Sequence, residues 1–298
     1  MTQPIDDRRH RTPDNDVTTH DRPLIMGILN VTPDSFSDGG RHDQLDAAIA
    51  HAKQMIAEGA DLIDVGGEST RPGSEAVGDD EQIRRTVPVI QQMVAANLNA
   101  WSGRPIQISI DTMSAAVAAA AVQAGATMIN DVSAGLADPR MFDVAATTNS
   151  QLVLMHMRGR PKTMQREPIY DDVVGEVEAF LLNQASAAQR AGVDHDRILL
   201  DPGIGFGKTR EHNLELLAAL PRFATLGYPL LLGTSRKRFM GSICTPPGAE
   251  SPPAPVALVG ATCATTALGV AAGVTIFRVH DVQANRQAAD VAISIRQR

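Results

Sequence analysis

Aromatic side chains are scarce in this chain. Phe, Tyr and Trp make up 3% of its 298 residues, with a single Trp, which leaves little for stacking nucleic acid bases. An excess of basic charge is missing too, since the formal net charge of -7 opposes any general attraction to a phosphate backbone. Cysteine occurs only at Cys244 and Cys263. They form no CxxC pair and no metal-ligand cluster, so neither zinc nor a disulfide framework is indicated, and a reducing, cytoplasmic setting is expected. No apolar run reaches the ~20 residues of a membrane span. Residues 1–22 are polar, carry both charge signs and lack the apolar centre of a secretion signal. They are expected to form a flexible tail ahead of one domain over 23–298.

What the chain does have is a repeated stop. Short runs of Val, Ile, Leu and Met end abruptly in polar residues: LIMGILN, DLIDVGG, IQISID, ATMIND, LVLMHM, ILLDPG, LLLGTS and TIFRVHD. Continuous apolar runs of this length suit buried parallel strands. Between them lie segments of helical periodicity, as in Leu45, Ile49, Ala52 and Ile56. Helices are also expected at roughly 80–97, 114–124, 170–191, 211–219, 257–272 and 282–296, with a weaker one at 137–147. Gly59, Gly125, Gly192 and Gly273 each stand just before a run, where glycine can take the left-handed conformation that ends a helix. Helix, glycine, strand and polar loop then form one unit, and about eight such units predict a (β/α)8 TIM barrel. The Pro- and Gly-rich segment 245–256 reads as a loop within that domain.

In a parallel barrel all strand ends open on one face, where catalysis occurs. Arg278 and His280 alternate along one strand and so share a side, a pairing suited to an anion. A paired arginine beside a core histidine is an equally good reading of those two alone. Ser69, Thr70 and Arg71 follow two glycines and offer further anion donors. Asn30 can lend a neutral oxygen to a hard cation such as Mg2+, although a hydrogen-bonded strand end would also explain it. Asp111, Asn130 and Asp201 end three separate strands and suit a flat heterocycle read along its edge. Capping of neighbouring helices is the plainer account of any one of them. DPGIGFGKT has Pro202 where a Walker loop needs glycine, and Lys208 where GxGxxG needs one, so ATP and NAD motifs are excluded. Ser235 to Arg238 form a basic cluster beyond another strand, of the kind that is most often a solvated turn.

Taken together, NVTPDSFSDGG, GGESTRPG, INDVSAG, HMRGRPKTMQ, DPGIGFGK, GTSRKRFMG and RVHDV closely resemble the dihydropteroate synthase family, in order, from about Pro23 to the C-terminus. The resemblance implies a barrel enzyme of folate biosynthesis. That family joins 6-hydroxymethyl-7,8-dihydropterin diphosphate to p-aminobenzoate and releases diphosphate, with Mg2+ assisting. Carried over by motif, the pterin falls to Asp111, Asn130, Met155, Asp201, Phe206 and Lys237. The diphosphate and Mg2+ fall to Asn30, Thr70, Arg71, Arg278 and His280, with Asn30 as the metal ligand. Phe36, Pro72 and Ser235 face p-aminobenzoate, and Asp38 places or deprotonates its amine. The catalytic set implied is Asp38, Arg71, Asp111, Asp201, Lys237, Arg278 and His280. Loops 32–40 and 69–73 act as mobile covers in this family. Sulfonamides, which mimic p-aminobenzoate, are expected ligands.

Two further expectations come from the same resemblance. A homodimer with the last helix contributing to its interface is expected, and Ala257, just before that helix, stands where the family usually has arginine. A methyltransferase that takes a methyl group from a folate to a corrinoid protein would share Asp111, Asn130 and Asp201. It would not need TPDSFSDGG, STRPG or RVHD. A non-catalytic pterin-binding paralogue is the alternative that the sequence leaves standing.

Overall fold

The computed structural model describes residues 22–32, 41–68, 77–159 and 168–298. The apolar runs become eight parallel strands: β1 (Leu24–Asn30), β2 (Leu62–Gly66), β3 (Gln107–Asp111), β4 (Met128–Asp131), β5 (Gln151–Met155), β6 (Ile198–Asp201), β7 (Leu231–Leu232) and β8 (Ile276–Val279). Their order is β6-β5-β4-β3-β2-β1-β8-β7. The remaining seam closes where Leu200 N donates to the Pro229 carbonyl at 3.0 Å and Leu200 bridges Leu230 in parallel. The predicted barrel is therefore present, with every strand pointing the same way.

Helices wrap it: α1 (Arg41–Ala57), α2 (Asp79–Ala95), α3 (Ala115–Ala124), α4 (Met141–Thr148), α5 (Val173–Arg190), α6 (Arg210–Ala218), α7 (Leu220–Phe223), α8 (Arg238–Ile243), α9 (Val259–Ala272) and α10 (Val282–Arg296). Two of them were not expected. Pro221, near the start of α7, lacks the N–H needed to continue α6, and α8 is a short turn cut from the basic cluster after β7. The four glycines before strands all carry φ between +99° and +117°, as helix-ending positions require. Arg22, counted above in the tail, donates to Asp61 at 2.9 Å and lies over the Trp101 ring. Residues 1–21 lie outside the described residues.

Side-chain alternation splits the core into two clusters. Outward residues of the strands pack under the helices, while Leu24, Met26, Leu62, Met128, Val153, Leu199, Leu231 and Ile276 fill the barrel itself. Each buried Leu, Ile or Met side chain of this kind stabilises the fold by about 1.5–3 kcal/mol. The apolar plug also seals the middle of the barrel, so polar side chains further along the same strand faces collect at the C-terminal rim.

Candidate active site

Register brings the strand ends together. Asn30 pairs with Gly66, Gly66 with Asp111, and Asp111 with Asn130, while Met155 pairs with Asp201. All of these positions lie at the C-terminal end of the barrel. Arg278, near the end of β8, reaches inward to this row. Its Nη2 donates to Asp111 Oδ2 at 2.6 Å and its Nε to Asp64 Oδ2 at 2.6 Å. Asn130 Nδ2 donates to that same Asp64 oxygen at 3.0 Å. Capping of helices, the plain account of Asp111 and Asn130, is not what their side chains do here.

Asp201, at the end of β6, accepts from Gly203 N at 2.7 Å. Burial pushes its carboxyl above the ordinary aspartate value, with the Lys237 charge the largest opposing influence and Arg278 a smaller one. Lys237 is brought there by a bend: Arg236, at φ +60°, turns aside to make a two-pronged pair with Asp281 at 2.6 and 3.0 Å. Lys237 then points in, donates to the Ile204 carbonyl and sits 4.5 Å from the centre of the Phe206 ring. Burial lowers the Lys237 ammonium to about 8. A ligand oxygen held by that ammonium should therefore bind more weakly as pH rises through about 8, because the donor loses its proton. Titration of ligand affinity from pH 7 to 9 checks this, and a Lys237→Met variant should flatten the profile.

The loop after β6 is tied down by one buried lysine, whose pKa burial pushes well below the ordinary lysine value. Lys208 Nζ donates to the carbonyls of Gly203 at 2.9 Å, Phe206 at 3.0 Å and His156 at 3.2 Å, and lies 2.9 Å from His156 Nδ1. Burial, then the Lys208 and Arg158 charges, drive His156 down to about 3. The imidazole is thus neutral and its Nδ1 can accept. Gly203, at φ +67°, passes so close to the His156 carbonyl that an added Cβ would collide with it. Phe206 is held in place by this clamp.

Ser235, just past β7, accepts from the His280 backbone N–H at 3.1 Å and lies 3.0 Å from its Nδ1. The residues assigned to p-aminobenzoate and to diphosphate therefore touch. Likewise, Arg278 joins the diphosphate set to the Asp111 of the pterin set. Phe36, Asp38, Thr70, Arg71 and Pro72 lie outside the described residues.

One end of the barrel thus gathers Asn30, Asp111, Asn130, Met155, Asp201, Phe206, Lys237, Arg278, Ser235 and His280. Residues 26–280 match the family described as pterin binding enzyme. A dihydropteroate synthase from Synechocystis is 47% identical over 271 residues, covering 91% of this chain and 89% of that protein. The chain belongs to the dihydropteroate synthases of the pterin-binding enzyme family. Solved structures agree. The Xanthomonas albilineans dihydropteroate synthase with 4-aminobenzoic acid superposes with a TM-score of 0.82 at 46% identity, covering 92% of this chain and 93% of that one. The Yersinia pestis dihydropteroate synthase in complex with a sulfonamide drug gives 0.83 at 40%, covering 95% and 96%.

Two residues escaped the sequence reading of this family member. Asp64 is fully buried in β2, and the signal for it was present: an acid inside the run DLIDVGG, two positions after inward Leu62. Lys208 reads from the sequence only as a loop residue. Nothing in its local sequence shows that its ammonium would be enclosed.

Proposed function

We propose that the protein condenses 6-hydroxymethyl-7,8-dihydropterin diphosphate with p-aminobenzoate to give 7,8-dihydropteroate and diphosphate. The observation that carries this reading is the placement of two buried carboxylates, Asp111 and Asp201, and the cations Lys237 and Arg278 at one end of one barrel. Asp111 and Asp201 accept N–H groups of the pterin, Asn130 contributes an amide, and Lys237 donates to a ring acceptor beside Phe206 and Met155. As the methylene–oxygen bond breaks, positive charge grows on the pterin and negative charge on the leaving diphosphate. The two carboxylates favour the first, and Arg278 and His280 favour the second. The arylamine nitrogen then forms its bond to the methylene and gives up a proton, a step in which Asp38 assists.

Mg2+ fits this arrangement. A Cβ built on Gly66 would lie 3.5 Å from Asn30 Oδ1 and 3.8 Å from Asp111 Oδ2, so a neutral and an acidic oxygen both stand next to a glycine that leaves the rim uncrowded. Mg2+ needs few protein oxygens when phosphate and water complete its shell. Asn30 would hold it, and bound there it would neutralise charge on the diphosphate.

Thr70 and Arg71 extend the diphosphate site, and Phe36 and Pro72 join Ser235 around p-aminobenzoate. Sulfonamides compete there. A homodimer is supported by exposed Leu268 on α9 and by Val291 and Ile295 on α10. A cytoplasmic location is supported by the sparse cysteine usage. The test is incubation with the pterin diphosphate, p-aminobenzoate and Mg2+. Dihydropteroate and diphosphate should appear in equal amounts, and a sulfonamide should suppress both. Folded protein that binds the pterin yet forms no product would instead identify a non-catalytic paralogue.

A further inference from the structure

Asp64 has no role in the scheme above, yet it touches two residues that do. Its side chain is 0% exposed. One oxygen, Oδ2, receives both Arg278 Nε at 2.6 Å and Asn130 Nδ2 at 3.0 Å. The other, Oδ1, has no hydrogen-bond partner among the described residues, and Asp111 Oδ1 is in the same state. A lone structural ion pair does not need this geometry.

We propose that Asp64 is a positioning residue that sets the guanidinium of Arg278 and the amide of Asn130 in their working orientations. The inference rests on the proposed function for its choice of ligands. An ionised carboxylate only accepts hydrogen bonds, so it fixes which end of the Asn130 amide faces it. The amide nitrogen is drawn toward Asp64, and the amide oxygen is left to meet a donor on the heterocycle. Arg278 is gripped twice, at Nε by Asp64 and at Nη2 by Asp111, which fixes its plane. Its remaining N–H groups are then aimed rather than free to swing, and a supported orientation of this kind is what precise anion recognition needs. Through one carboxylate, the part of the site that reads the ring and the part that takes the phosphate share a strut.

The test uses the full-length protein, with 6-hydroxymethylpterin and inorganic diphosphate titrated separately by calorimetry. Asp64→Asn preserves side-chain volume and can keep an oxygen toward Arg278 Nε and Asn130 Nδ2, but it removes the negative charge that strengthens both bonds and holds the guanidinium. It should weaken both ligands roughly 30-fold while leaving the KM for p-aminobenzoate within about twofold. In an Arg278→Lys background, where the two-sided grip is already lost, Asp64→Asn should change diphosphate affinity less than about twofold. A general packing role predicts the reverse: a fall in melting temperature, of the same size in both backgrounds, with unchanged affinities in the folded fraction. Either result overturns the proposal. Asp64→Ser serves if the Asn variant does not fold, and unfolding of both variants would place Asp64 in the core and refute a positioning role. These titrations need no turnover, so a failure of the wild-type condensation assay would remove the proposed reaction without deciding the part played by Asp64.

Discussion

Arg278→Ala should lower kcat/KM for the pterin diphosphate roughly 10³-fold, in the range seen when one preorganised donor to a developing anion is removed. It should also cost stability. Arg278 is the cation between Asp64 and Asp111, both buried and both 2.6 Å away. Removing it leaves two carboxylates facing each other without a counter-charge, a loss of about 3–5 kcal/mol. The melting temperature should fall on the order of 10 °C. Burial already pushes Asp111 above the ordinary aspartate value, with Arg278 the leading influence holding it down. Without Arg278, Asp111 should take up a proton more readily and lose its capacity to accept a ring N–H. Pterin affinity should therefore fall along with diphosphate affinity, and isothermal titration of each ligand would show both losses. Loss confined to diphosphate would mean that the Arg278–Asp111 bond does no work for the ring.

Asp201→Asn should behave differently. The side chain keeps an oxygen to accept from Gly203 N, so the turn after β6 survives and the melting temperature should stay near that of the parent. What disappears is the negative charge opposite Lys237, together with one acceptor. An amide N–H would meet a ring N–H, leaving buried donors unpaired. A site built for hydrogen bonding rejects such a mismatch strongly, and pterin affinity should drop roughly 10³-fold. The Lys237 ammonium, already lowered to about 8 by burial, loses the charge that raises it and should fall further. Fluorescence titration of the pterin against both proteins checks the first claim. An Asp201→Asn protein that binds pterin like its parent would remove Asp201 from the site.

The barrel was legible because its cause is local and repeated. An apolar run followed by a polar stop needs no tertiary information, and glycines at 59, 125, 192 and 273 mark the units. Helices α7 and α8 were missed because each is a single turn or little more, below the length at which periodicity can be read. The site was legible as a set of strand ends but not as a network. The sequence divides the pterin, p-aminobenzoate and diphosphate residues into separate groups. The structure joins them through Arg278–Asp111 and Ser235–His280, contacts between residues that are distant along the chain. Asp64 shows the limit clearly. Its presence in a buried run could have been noticed, but its two partners come from β4 and β8, and only the closed barrel brings them to one oxygen.

A structure of the protein with the pterin diphosphate bound tests the convergence of these strand ends most directly. The heterocycle should lie against Asp111, Asn130 and Asp201, with Lys237 at its edge and the phosphates at Arg278 and His280. A ring bound away from Asp201, or phosphates with no contact to Arg278, would contradict it.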